Sequence, residues 1–311
     1  MKASQISNYG GTEVHALNDV DKPSPGEGRV LVEVHAAGVN PFDGKLRAGL
    51  MKKVISLQFP AILGGDVSGV VAQVGPGVNG VSVGDEVYGS ANAAGGAGSF
   101  AEYVTVSTSQ LAAKPKSISF VEAGALPLTG ASAYQAIVEH LGVSKNQKVL
   151  IHGGAGGIGS IAIQIAKHLG AHVATTVGPD GIVFAKQLGA EEVIDYHAQD
   201  FENKLRDFDA VLDTVGGDTT AKSLKVLRPG GVQASMALYG PLKEAEGLDV
   251  EVIAVSAKVT SERLQELTRL VDQGVVRVTV DTTFPLEQAG EAITHLQEGH
   301  PRGKVVIIVK S

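Results

Sequence analysis

Residues 148–160 read KVLIHGGAGGIGS. Three β-type apolar residues, Val149, Leu150 and Ile151, run into glycines at positions 153, 154, 156, 157 and 159, and an amphipathic helical pattern follows at once. A strand that turns tightly into a helix brings the first helical N–H groups and the positive end of the helix dipole to one point, where a pyrophosphate can sit. Gly154, Gly156 and Gly159 meet the G-x-G-x-x-G spacing, which assigns them in turn to the tight turn, the close approach to phosphate and the helix–strand contact. Glycine supplies 40 of the 311 residues, so this spacing takes its meaning from its place between strand and helix.

Outward from the turn, the pattern keeps alternating. Helix 158–169 leads to strand 172–177, helix 183–188, strand 192–196, helix 201–206, strand 208–215, helix 219–227 and the strand VQASMAL. Such alternation predicts a parallel, doubly wound sheet with right-handed crossovers. Upstream, VLVEVHAAGV (30–39), VSGVVAQVG (67–75), VGDEVYG (83–89) and FAEYVTV (100–106) read as short strands between glycine-rich breaks, one of them at Asn40 to Asp43. A β-rich unit is therefore expected over roughly the first 115 residues. After a helix that ends at Gly274, VVRVTVDTTFPL, a helix at 287–297 and KVVIIVK lack the alternation and are assigned back to that unit. The expected division is 1–118 with 275–311 for the β-rich domain and 119–274 for the nucleotide-binding domain.

Composition narrows the function classes. A net charge of −7 offers no basic surplus for general affinity to nucleic acid or anionic membranes. No run reaches the roughly 18 apolar residues of a membrane span, and MKASQISNYGGTEVHAL lacks a signal-peptide core, so a cytoplasmic location is expected. Cysteine is absent, which removes disulfides, thiolate nucleophiles and cysteine-ligated zinc.

The order of motifs resembles the zinc-independent branch of the medium-chain dehydrogenase/reductase superfamily, in particular quinone oxidoreductases and alkenal/enone reductases. The matching pieces are GVNPFDGKLRAG, FPAILGGDVSGVVAQVG, VGDEVYG, GSFAEYV, LPLTGASAYQ, GGAGGIG, LGAEEVIDY, FDAVLDTVGG and HPRGKVVI. This resemblance implies a GroES-like catalytic domain joined to a Rossmann domain, with the active site in the cleft between them. Asn40, Gly65 and Leu128 stand where the zinc-dependent relatives carry a cysteine, a histidine and another cysteine, a set from which no tetrahedral N/S site can be built. Without a Lewis acid, the expected reaction is hydride delivery to an already electrophilic carbon of an enone or a quinone.

The resemblance also implies residue roles. Gly156, Gly157 and Ile158 go to the pyrophosphate turn, Thr129 to the nicotinamide end, and Arg302 with Gly303 to a C-terminal cofactor contact. Lys45 lies beside cofactor and substrate, with Asn40 and Asp43 on the same wall, and Tyr88 is a candidate proton donor. The second strand ends at Thr176, Val177 and Gly178 with no carboxylate for a ribose 2′-OH, which favours NADPH over NADH; Asp180 nearby is the competing acid. Tyr196 matches a tyrosine near the 2′-phosphate. No metal is expected. Histidines 35, 140, 152, 168 and 172 show no ligand spacing, and His295 and His300, which precede the final strand, are assigned no function. A non-catalytic NADPH-binding protein and an enoyl-thioester reductase remain alternatives, and sheet-edge pairing between nucleotide domains would give a symmetric homodimer.

Overall fold

In the computed structural model, which describes every residue except Tyr239, His300 and Ser311, the strand of the glycine turn lies inside a six-stranded parallel sheet. The spatial order is Glu192–Asp195, His172–Val177, Lys148–His152, Phe208–Asp213, Leu227–Ser235 and Val250–Ala254. In chain order this is 3-2-1-4-5-6, the doubly wound dinucleotide-binding arrangement, whose direction reverses beside the first strand. Sheets covered on both faces read as continuous apolar runs, and Val149, Leu150 and Ile151 are fully buried. Leu150, Ala174 and Val211 pack with Phe201, Leu205, Phe208 and Val226 in one apolar cluster. Each large aliphatic side chain buried this way contributes about 1.5–3 kcal/mol.

Contacts divide the chain into two compact units, and this sheet belongs to the unit made of Thr129–Lys258 and Val275–Arg277. Residues 275–277, which the sequence reading put in the β-rich domain, join it through a reciprocal amide pair. Arg277 N donates to Gln164 Oε1 at 2.9 Å, and Gln164 Nε2 donates to the Arg277 carbonyl at 3.1 Å.

The other unit comprises Met1–Leu128, Val259–Gly274 and the chain from Val278 on. Its larger sheet runs Val280–Pro285, Lys304–Ile308, Arg29–Val39, Asp66–Val74, Glu86–Ser90 and Leu111–Ala113, and Tyr103–Ser107 also pairs with Arg29–Val39. A smaller sheet joins His15–Asp19, Lys2–Ile6 and Ala61–Ile62. Residues 119–128 and 259–274, assigned by sequence to the nucleotide domain, group here instead. The reason is buried polar pairing: Ser68 Oγ donates to the Phe120 carbonyl at 2.5 Å, and Tyr88 Oη donates to the Leu264 carbonyl at 2.6 Å. Helical periodicity cannot report such side-chain partners.

A second difference is at residues 40–47. The sequence reading makes Asn40 to Asp43 a break, whereas Pro41–Arg47 is a short helix with proline at its first turn and Asn40 as N-cap. Proline is at home there because that N–H has no helical partner to lose.

Candidate functional site

Each glycine of the turn has a distinct physical role. Gly153 takes φ +70°, so it, and not Gly154, makes the left-handed turn. A Cβ on Gly154 would stand 2.0 Å from Thr175 Oγ1, and Thr175 is held in place by donating to the Ile151 carbonyl at 2.6 Å. A Cβ on Gly159 would stand 2.2 Å from the Gly153 carbonyl oxygen, so Gly159 lets helix Gly157–His168 start against the turn. Gly156 is the N-cap; its missing Cβ meets nothing closer than that same oxygen at 3.4 Å. The Gly156 N–H is consumed by the Gly153 carbonyl at 3.0 Å. Gly157, Ile158 and Gly159 open the helix, where N–H groups lack an intrahelical carbonyl. What the turn offers an anion is those donors, approached over a glycine without a side chain.

Beside the turn, at the carboxyl ends of the strands, lies a cavity of about 360 Å³. His152, Gly153, Thr176, Tyr196, Phe201 and Val215 are among its walls. The N–H groups of Gly153 and Gly154 both donate to the Thr176 carbonyl, at 3.1 and 3.2 Å, which ties the turn to the end of the second strand. Gly178 follows, and its absent Cβ would lie 3.4 Å from the Tyr196 hydroxyl. The structure thus brings together Gly154, Gly156, Gly159, Thr176, Gly178 and Tyr196, with Val177 buried beneath the strand end.

Two groups that sequence reading did not single out for the site hold this cavity in shape. His152 is fully buried. Ser223 Oγ donates to the Thr219 carbonyl at 2.6 Å, so it accepts from His152 Nε2–H at 2.9 Å, and His152 Nδ1 accepts from Thr176 Oγ1 at 2.9 Å. Burial lowers the pKa of this neutral imidazole to about 4. Asp213 accepts from the N–H groups of Val215 and Gly216 and from the hydroxyls of Thr220 and Ser235. Burial pushes its carboxyl upward, and these donors more than offset that, holding it below its usual value. A composition-poor string such as FDAVLDTVGG gives no signal for four converging donors; only the fold assembles them.

In the β-rich unit two of the candidate catalytic residues, Asn40 and Asp43, sit in a closed polar cluster. Lys304 is buried, and its ammonium donates to the Val39 carbonyl at 2.8 Å, to Asn40 Oδ1 at 2.5 Å, and lies 3.5 Å from Asp66 Oδ2. Asn40 Nδ2 donates to Asp66 Oδ2 at 2.9 Å, and Asp66 Oδ1 accepts from Leu128 N at 2.9 Å. Asp43 accepts from Asn40 N at 2.8 Å and Gly64 N at 3.2 Å. Burial raises its pKa to about 7, although the two backbone donors act the other way. Asn40 and Asp43 thus cap and brace the start of helix Pro41–Arg47, while Lys45, on the same helix, is exposed.

The remaining candidates fall as follows. Tyr88 is fully buried with its hydroxyl donating to Leu264, and Thr268 Oγ1 bonds it at 3.2 Å; burial raises the phenol's pKa, so it is a brace and not a proton donor. Arg47 is buried on the Gly290 carbonyl, Thr294 and Gln297. Thr129 is buried on helix Pro127–Tyr134. Arg302 N donates to Asp281 Oδ1 at 3.0 Å, and Gly303, at φ +94°, leaves no space for a Cβ beside the Thr279 carbonyl. His300 lies outside the described residues.

Residues 26–116 match the family described as alcohol dehydrogenase GroES-like domain, and residues 188–307 match the family described as zinc-binding dehydrogenase. An NADPH-dependent alkenal/one oxidoreductase of Arabidopsis thaliana is 36% identical over 99% of this chain and 79% of its own length. The chain belongs to the medium-chain dehydrogenase/reductase family. Among solved structures, a quinone oxidoreductase from Coxiella burnetii superposes with TM-score 0.89 at 35% identity, over 100% of this chain and 99% of its own. The Escherichia coli quinone oxidoreductase complexed with NADPH gives TM-score 0.89 at 28% identity, over 99% and 100%.

This medium-chain dehydrogenase/reductase departs from the zinc in the second family description through its residues. Asn40 meets an ammonium, and a divalent ion brought there would face that like charge. Leu128 contributes only its N–H to Asp66. Among the described residues no three His, Asp or Glu side chains are grouped to hold a metal, and no helix is long and apolar enough to cross a membrane.

Proposed function

We propose that this chain is an NADPH-dependent oxidoreductase that delivers hydride, without metal, to the electrophilic carbon of an α,β-unsaturated carbonyl or a quinone. The observation that carries the reading is the glycine cradle, in which a Cβ is excluded at Gly154 and Gly159 and absent at Gly156, beside a strand end at Thr176–Gly178 that bears no carboxylate and faces the Tyr196 hydroxyl. A 2′-phosphate fits an uncharged strand end better than a 2′-OH that seeks an acid. The relatives named as NADPH-dependent alkenal/one and quinone oxidoreductases support the same cofactor and substrate classes.

Bound NADPH supplies the hydride. In this proposal the N–H groups of Gly157, Ile158 and Gly159 hold the pyrophosphate, and Thr176, Val177, Gly178 and Tyr196 hold the adenosine end. Thr129 serves the nicotinamide end, and Arg302 with Gly303 adds a contact from the residues that lead into strand Lys304–Ile308. Lys45 is the exposed cation assigned to the carbonyl oxygen that gains charge, because a cation near a developing enolate lowers its energy. Asn40 and Asp43 act as positioning residues for the helix that carries Lys45, since their polar atoms are spent within the cluster. The test is a panel of enones, enals and small quinones with NADPH, followed at the NADPH absorbance band. Substrate-dependent oxidation is expected, and binding of NADPH with no turnover on any member would overturn the reading.

A further inference from the structure

Residues 44–65 contain Lys45, Arg47, Lys52 and Lys53 and no Asp or Glu, in a chain whose 33 acids outnumber its 26 lysines and arginines. The fold sorts these cations. Arg47 turns inward onto Gly290, Thr294 and Gln297, and the nearby carboxylates of Glu13 and Glu298 act on it. Lys45, Lys52 and Lys53 are exposed, and none of them forms an ion pair among the described residues. Between and beside them stand two aliphatic side chains that nothing covers, Leu50 at 72% and Val54 at 81% exposure.

The segment is shaped by successive backbone turns. Leu50 N donates to the Lys45 carbonyl at 3.0 Å, Lys52 N to Gly49 at 3.2 Å, and Val54 N to Met51 at 2.9 Å. Its far end is anchored, because Leu57 is buried in the core and its N–H donates to Tyr9 Oη at 3.1 Å, while Tyr9 packs edge-on against Phe59 at 4.8 Å. A held turn that exposes aliphatic tips among lysines, with no acid of its own, matches one environment well. Aliphatic groups settle at the acyl boundary while ammonium groups meet lipid phosphates above it.

We propose that the turn formed by residues 49–54, with Lys52, Lys53, Leu50 and Val54 and without Lys45, which is left to the proposed site, docks on an anionic lipid surface. The negative charge of the rest of the chain opposes this only weakly, since charges beyond a Debye length of about 10 Å at 0.1 M salt are screened. That is how a local cationic turn escapes the chain-wide count, which by itself argues against affinity for anionic membranes. An acidic protein would match the lysines, but a turn of six residues falls far short of the roughly 20–30 residues a side of a stable protein interface; a second copy of the chain would bring the same positive charge.

The test is sedimentation of the full chain with vesicles of phosphatidylcholine alone and of phosphatidylcholine with phosphatidylglycerol, at low and high salt. Binding only to the phosphatidylglycerol vesicles, weakened by salt, is expected. At about 1 kcal/mol per lysine, Lys52→Ser with Lys53→Ser should weaken partitioning roughly 30-fold. Leu50→Ser with Val54→Ser should weaken it by at least about tenfold. All four positions are exposed, so thermal unfolding should not move and loss of binding cannot be blamed on misfolding. Equal binding to both vesicle types, no binding to either, or variants that bind like the parent would overturn the proposal. So would sedimentation velocity showing that Leu50 and Val54 hold two copies of the chain together.

Discussion

Gly156→Ala and Gly159→Ala differ by three positions and should fail in different ways. At Gly156 the backbone has φ −79° and ψ 176°, which any residue adopts, and the new methyl would meet only the Gly153 oxygen at 3.4 Å. The fold should lose no more than about 1 kcal/mol, the scale of a changed N-cap. On the proposed function the methyl stands where pyrophosphate approaches, and overpacking of about 1–3 kcal/mol corresponds to roughly 5- to 150-fold weaker NADPH binding. At Gly159 the methyl would be 2.2 Å from the Gly153 oxygen and 2.8 Å from both Gly153 C and Gly154 Cα, all backbone of the turn itself. Relief requires the turn to open, so stability should fall by about 1–3 kcal/mol, or roughly 2–12 °C in Tm. Thermal unfolding without cofactor and fluorescence titration with NADPH separate the two quantities. Gly159→Ala with parental stability, or Gly156→Ala with parental affinity, would refute the assignment of roles in the turn.

Other expectations follow from the buried groups. His15, half-buried on strand His15–Asp19 with its Nδ1 3.0 Å from Ser4 Oγ, and the buried His152 are both lowered by desolvation from 6.5 to about 4, and Asp43 is raised from 3.8 to about 7. As pH falls from about 6.5 toward 4, each histidine takes up its proton only on unfolding and costs stability. Asp43 takes its proton in the folded state and adds stability, and Asp66, also raised by burial, acts the same way, so the two carboxyls oppose the slope of about 1.4 kcal/mol per pH unit that each histidine contributes. His152→Gln should flatten that slope in denaturant titrations between pH 5 and 6.5; an unchanged slope would count against the assignment. Lys304→Met leaves Asp66 buried without its cation and should cost about 3–5 kcal/mol by urea unfolding. Tyr88→Phe should cost about 1 kcal/mol and leave the pH profile of turnover unmoved, which a proton donor could not do. Lys45→Ala should lower kcat/KM with no change in Tm, and a parental kcat/KM would remove Lys45 from the proposed site.

The doubly wound sheet was legible because its signal is redundant. Apolar runs, glycine breaks and helical periods recur in alternation from Lys148 to the strand that ends at Ser235, so misplacing a boundary by two residues does not alter the topology. The sixth strand, Val250–Ala254, was not read, because only a 3-10 turn at Lys243–Ala245 precedes it and no helical period marks it. Residues 40–47 were not legible, because proline and asparagine mark both a chain break and a helix start, and the choice rests on Asp43 reaching back to Asn40 N. The glycine turn lies between these cases. Its existence followed from spacing, yet the left-handed residue is Gly153 and the N–H of Gly156 is spent inside the turn, because roles depend on backbone angles that a spacing does not carry.

The same distinction orders the chemistry. Asn40 and Asp43 have the functional groups expected of catalytic residues, and the resemblance places them on the active wall, but a side chain can act on substrate only with atoms that the fold leaves unspent. Both Asp43 oxygens already accept backbone N–H groups, and Asn40 is fixed between Lys304 and Asp66. Burial acts on every charge of this cluster, raising the pKa of Asp43 to about 7, raising that of Asp66 and lowering that of Lys304, while the ammonium faces both carboxyls. A site balanced in this way presents little net field to a developing enolate. On the proposed reaction, stabilisation of that oxygen therefore falls to Lys45, and the proton that completes reduction comes from Lys45 or from solvent, because Tyr88, the other sequence candidate, is locked on the Leu264 carbonyl.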